Sequence, residues 1–271
     1  AGFMNWPGVI VPPPNQGPAV YQWLGHQPDR PVVLELPIPS HSALQAFTQC
    51  ARQYYSTGHW QRTVNGYSGF LTRAYGAIAS TSQSFPDEAT LRWLQGLRVD
   101  LVILHRGDYE AGQWEALQAA LPAWADRLQP LQDFDDARVL QVALPPWNAG
   151  RARPEFGGKL RLLGYAPPAP GRQPPTLQLF WQARTTLDDC EVVLQPAQGA
   201  PLTIPLAADG GAPAQWHIGE VEVQEVKLPQ TAQEWRTVAL TVRDRATGMA
   251  LPIVAEGQAL ETVQLEGVGR Y

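Results

Sequence analysis

Near residue 158 the period of the apolar residues changes, and no other feature constrains this chain as much. Before that point apolar positions recur three and four apart, as on one face of a helix. Leu91, Leu94 and Leu97 repeat in this way, as do Trp114, Leu117, Leu121, Trp124 and Leu128. Beyond it, apolar and polar residues alternate. The pattern holds for Leu160 and Leu162, for Leu177, Leu179 and Trp181, for Val238, Leu240 and Val242, and for Val263 and Leu265. Val221, Val223 and Val226 are interleaved with Glu and Gln. A period of two belongs to strands with one buried face. The chain therefore needs two cores of different construction, and 271 residues suffice for two ordinary domains.

In the first half, Pro31 and Pro37 bracket the run Val32-Val33-Leu34-Glu35-Leu36, which reads as a buried strand. A short helix with Val20, Trp23 and Leu24 on one face precedes it. Leu44, Phe47, Ala51 and Tyr54 allow a helix over 42–55, and the Gly- and Ser-rich stretch 56–75 reads as a loop or short hairpins. Ser84 and Asp87 offer a capping box, and Gly96 suits a left-handed helix end. Val99 to Leu104 is a central strand, Pro122 should kink or split the next helix, and Val139, Leu140 and Val142 mark another strand. This alternation predicts a layered α/β domain with a mostly parallel sheet. About eight short strands with turn signals then predict an immunoglobulin-like β-sandwich. The expected boundaries are an extended leader over 1–18, the α/β domain over 19–145, a linker over 146–158 and the sandwich over 159–271.

Composition removes several function classes. A net charge of -5 argues against a nucleic-acid partner. Cys50 and Cys190 stand far apart with no zinc-ligand spacing around them; a disulfide would have to bridge both domains. The five histidines show no metal-binding pattern, and no motif implies a cofactor. No apolar run approaches the ~20 residues of a membrane span. The start, Ala1-Gly2-Phe3-Met4-Asn5-Trp6, lacks a basic head and an initiating Met, so it reads as the cut end of something longer.

In open α/β sheets ligands bind beyond the carboxyl ends of strands. Two predicted strands end in polar clusters. One holds Glu35 with Ser40 and His41; the other runs His105-Arg106-Gly107-Asp108. If these strands are parallel neighbours, both clusters face one crevice. Partial burial would then raise the pKa of Glu35 for acid–base work; the plainer reading is an ion-paired strand end. Asp108 reads more simply as a helix N-cap, and His41 and His105 as structural histidines. Between the two strands, His59, Trp60, Asn65, Tyr67 and Ser68 interleave rings with small polar groups, a composition suited to sugars. The alternative is a tightly turned loop whose rings fill the core. Trp181 reads as core; Trp216 and Trp235 would make a second carbohydrate platform if exposed.

The runs Leu34-Glu35-Leu36-Pro37, His59-Trp60 and Val64-Asn65-Gly66-Tyr67-Ser68-Gly69-Phe70 carry a resemblance, together with Phe85-Pro86 and Leu97 to Ile103. They resemble the soluble tail of bacterial polytopic membrane proteins of the GT-C glycosyltransferase type, the dolichyl-phosphate-mannose mannosyltransferase kind. Leu163-Gly164-Tyr165, Leu179-Phe180-Trp181 and Trp216 with Gly219-Glu220-Val221 are similar to the sandwich appended to such tails; Pro170-Gly171-Arg172 departs from that pattern. The resemblance implies a non-catalytic, extracytoplasmic domain pair that binds or positions a glycan or lipid-linked sugar. Its partner would be an upstream transmembrane region of its own chain. The resemblance transfers no catalytic residue onto this segment. Two rival expectations remain: a protein-contact scaffold without ligand, and a stand-alone hydrolase. The hydrolase would use Glu35 and Asp108 across a gap of about 5–10 Å.

Overall fold

The computed structural model describes residues 12–38, 43–66, 72–144, 153–171, 173–207, 211–229 and 235–269. Within them the fold is rich in β-structure: three sheets, with a few helices.

The first sheet contains β1 (Val32–Leu36), β2 (Arg62–Thr63), β3 (Leu101–His105), β4 (Leu128–Asp133) and β5 (Ala137–Val142), in the order β2-β1-β3-β5-β4. β1 lies parallel to β2 and β3, while β5 is antiparallel to both β3 and β4. β5 alone therefore runs against the other four strands, which makes the sheet mixed. The cause is local: a short turn joins β4 to β5, and so short a connection permits only an antiparallel pair. β1 is buried along its whole length because both faces are covered. Val32, Leu34 and Leu36 pack with Ile78 of α3 (Arg73–Thr81), Leu91 and Leu94 of α4 (Glu88–Leu97) and Leu117 of α5 (Gln113–Ala120). Val33 on the other face packs with Val20, Tyr21 and Leu24 of α1 (Ala19–Gly25). Glu35 shares the parity of Val33, so it enters the α1 side.

Most of these elements were foreseeable, and the exceptions are instructive. Pro122 does split its helix: α5 stops at Ala120 and a 3-10 turn follows over Leu121–Trp124. Leu128 opens a strand instead of closing the helix. Asp87, not Ser84, caps α4 by accepting from Thr90 N. The left-handed end falls on Arg98, not Gly96. Part of the stretch expected to be loop is helical instead: α2 (Ala43–His59) runs to His59, and α3 begins at Arg73 behind its Thr72 cap.

The remaining strands enclose one core between two antiparallel sheets. The four-stranded sheet orders β10 (Leu202–Pro205), β9 (Cys190–Pro196), β12 (Thr237–Asp244) and β15 (Val263–Glu266). The six-stranded sheet orders β11 (Val221–Lys227), β8 (Thr176–Ala183), β7 (Leu160–Ala166), β6 (Glu155–Phe156), β13 (Ile253–Ala255) and β14 (Gln258–Leu260). β6 thus pairs with β7 and β13 inside the stretch expected to be linker. Trp181, Leu194, Leu240 and Leu265 meet in the shared core, and Trp216 and Trp235 join them there. Their burial removes the expected second carbohydrate platform. Buried Gln224 is satisfied on both sides: it accepts from Trp181 Nε1 at 3.1 Å and donates to Pro205 O at 2.8 Å. Both cysteines are free thiols.

Helix α4 lies on β7 and β8, and this contact joins the two halves. Trp93 meets Phe180 edge-on, with centroids 5.2 Å apart. Arg92 donates to Thr176 O at 2.8 Å and Gln178 Oε1 at 3.0 Å. Backbones approach so closely that a Cβ on Gly96 would sit 2.0 Å from the Phe180 ring, and one on Gly164 2.3 Å from Gly96 O.

Candidate functional site at the tips of two parallel strands

The register pairs Glu35 with Ile103 and Leu36 with Leu104, so β1 and β3 end side by side. Glu35 of the first cluster meets the second, while Ser40 and His41 lie outside the described residues. Glu35 Oε2 lies 2.7 Å from His105 Nε2 and accepts the Tyr21 hydroxyl at 2.7 Å. The Arg52 guanidinium stands behind it, with Nε at 3.8 Å. Arg52 also donates to Glu35 O at 3.2 Å and Pro37 O at 2.9 Å, and its Nη2 reaches Asp108 at 2.6 Å.

Asn65 extends the sheet with its side chain. Val64 N donates to Val33 O at 2.9 Å, as a strand residue would. One step on, the Asn65 amide accepts from Glu35 N at 2.6 Å and donates to Glu35 O at 2.8 Å. The backbone that carries Glu35 is thereby clamped on both sides.

These contacts decide protonation. Burial at 1% exposure would raise the Glu35 carboxyl. The hydrogen bond with His105, then Arg52 and the Tyr21 hydroxyl, outweigh burial and hold its pKa below the usual value. This is the reverse of the shift expected of a general acid. Burial, with the Glu35 charge next, pushes the Tyr21 phenol well above its ordinary range, so it remains a donor. Burial lowers the His59 imidazole; its Nδ1 accepts from Gln61 N at 3.0 Å, and its ring stacks on Tyr21 at 5.9 Å.

The sequence candidates separate into three groups. Glu35, His59 and Asn65 are buried and act inside the protein. His105, Arg106, Asp108 and Trp60 reach the surface to different extents. His105 is 13% exposed and Asp108 36%; Arg106 is exposed, its guanidinium 5.1 Å from the Trp114 ring centre. Asp108 is the partner of Arg52 rather than a cap: α5 starts from Gly112. Trp60 is 73% exposed. His41, Tyr67 and Ser68 lie outside the described residues.

Tyr21, Gln49 and Arg52 were missed. For Gln49, whose Oε1 accepts from Asn65 Nδ2 at 3.4 Å, and for Arg52, the signal was the polar face of α2 that they share with His59; Tyr21 lies on α1. That face is the buried one, while Phe47 is 70% exposed and Tyr54 also faces solvent. The helix is turned opposite to its apolar stripe. Among the described residues no group of His, Cys, Asp or Glu could hold a metal ion, and no helix is long and apolar enough to cross a membrane.

No family model matches the chain, and no curated protein matches it. Among solved structures, a DUF3823 family protein from Bacteroides ovatus shares 7% identity, covering 51% of this chain and 69% of that one. Its TM-score is 0.23, and a likeness that slight carries no argument about fold or function.

Proposed function

We propose that this chain binds or positions a glycan or lipid-linked sugar, as an extracytoplasmic domain pair of a glycosyltransferase-like membrane protein. Its architecture is then a layered α/β unit followed by an immunoglobulin-like sandwich. The observation that carries the reading is Trp60. It closes α2 in the left-handed conformation, with φ at 54°, its N–H bonded to Ser56 O at 2.8 Å. Glycine is the usual residue at such a helix end, and a side chain there costs about 1–2 kcal/mol. Trp60 repays little of this by packing, since 73% of it faces water. A large ring held in a costly conformation and left uncovered fits a stacking platform for an apolar sugar face. The hydrolase reading has less support, because Glu35 and Asp108 both turn onto Arg52 rather than across an open gap.

Replacing Trp60 with Gly separates function from folding. Urea denaturation of Trp60→Gly is expected to give unchanged or higher stability, by up to about 1 kcal/mol. Glycan-array and calorimetric binding, expected at millimolar to micromolar affinity for the native chain, should disappear. A native chain that binds no glycan, or a variant that binds as well, sinks the reading.

A further inference from the structure

His105 keeps one ring nitrogen against Glu35, and its side chain is 13% exposed. Its Nε2 meets Glu35 Oε2 at 2.7 Å, and Nδ1 has no partner among the described residues. The proton on Nε2 follows from its neighbours. Glu35 is ionised, and an ionised carboxylate only accepts. Its Oε2 already receives the Tyr21 hydroxyl. Nε2 must therefore carry a hydrogen, which leaves the Nδ1 lone pair of neutral His105 unused. The ring is held at its base as well: Ala137 pairs with His105 across β3 and β5, and Arg106 N donates to Asp136 O at 2.9 Å.

We infer that His105 Nδ1 is the group that receives a hydroxyl of the bound ligand, with Glu35 as its positioning residue; this rests on the glycan reading above. The site then selects donors such as polyols and sugars over carboxylates and phosphates. Asp108 works in the same direction. It sits at the same strand end, joined to Glu35 through Arg52, and offers a second acceptor that repels anions. A purely structural ion pair is the weaker account, because burying charges costs about as much as their attraction returns. The arrangement does more than stabilise: it fixes a tautomer.

The test uses the whole chain. Nitrogen-15 NMR at neutral pH should find the His105 proton on Nε2; a proton on Nδ1 overturns the inference without any ligand. Calorimetry with methyl α-D-mannopyranoside and methyl β-D-glucopyranoside should then show a fall of about tenfold in His105→Phe, the worth of one hydrogen bond. Inorganic phosphate should not compete at neutral pH. Tyr21→Phe, which leaves the carboxylate in place, should retain the Nε2 tautomer. Glycoside binding that needs Trp60 but ignores His105 removes this inference and leaves the broader reading standing. A native chain that binds neither glycoside removes both.

Discussion

A carboxylate with 1% exposure persists only where donors replace its water. Around Glu35 those donors come from three separate elements: Tyr21 of α1, Arg52 of α2 and His105 of β3. Removing the carboxylate strands Arg52 and His105 together, so Glu35→Leu should lower stability by about 3 kcal/mol in urea denaturation at pH 7. The pH dependence has a definite sign. The folded pKa of Glu35 lies below its ordinary 4.5, so its contribution is complete above that pH. It is lost as pH falls through the folded pKa, because the unfolded chain takes up its proton first. Stability of the native chain should therefore decline more steeply below about pH 4.5 than that of Glu35→Gln. Parallel curves for the two proteins would refute the assignment.

At the scale of elements, α4 is placed by a residue that helix propensity ranks poorly. Gly96 lies in the last turn of α4, where alanine would normally stabilise by about 1 kcal/mol. Here its bare backbone admits the Phe180 ring, and an added Cβ would lie 2.0 Å from it. Gly96→Ala should therefore destabilise by roughly 2 kcal/mol or more in thermal or urea unfolding, the cost of overpacking a tight contact. Phe180→Leu should recover part of that loss in the double variant. Helix α2 was readable as a helix from Phe47, Ala51 and Tyr54, but its orientation was not. Periodicity reports that two faces differ; it does not report which one a neighbouring sheet will demand. Because β1 ends in a buried charge, the face turned inward is the one holding Arg52 and His59. α3 was unread because Arg73 to Thr81 offers few large apolar residues, and only Ile78 of them is fully buried.

For the whole molecule, the decisive contact is α4 on β7 and β8. Arg92 is buried there and donates to the backbone of one half from the other. Trp93 and Phe180 close the same seam. The two halves should therefore unfold as one unit. Near-ultraviolet circular dichroism and tryptophan fluorescence should trace a single coincident transition, and two resolved transitions would count against a rigid seam. Arg92→Leu, which removes those donors, should lower the midpoint and begin to separate the two.

What the amino-acid order determined by itself was the switch in apolar period, the strands it marks and the breaks at proline. Those depend on local alternation and on backbone chemistry that no partner can alter. Reading the two polar clusters as strand ends was also possible, since both sit directly after apolar runs. Tertiary structure alone decided that Glu35 meets the second cluster, that it is ionised rather than poised as an acid, and that Trp60 is bare while Trp216 and Trp235 are covered. The reason is physical: charge state and exposure are set by atoms distant in sequence, such as Tyr21 and Arg52 around Glu35, and no local pattern encodes which of them arrive.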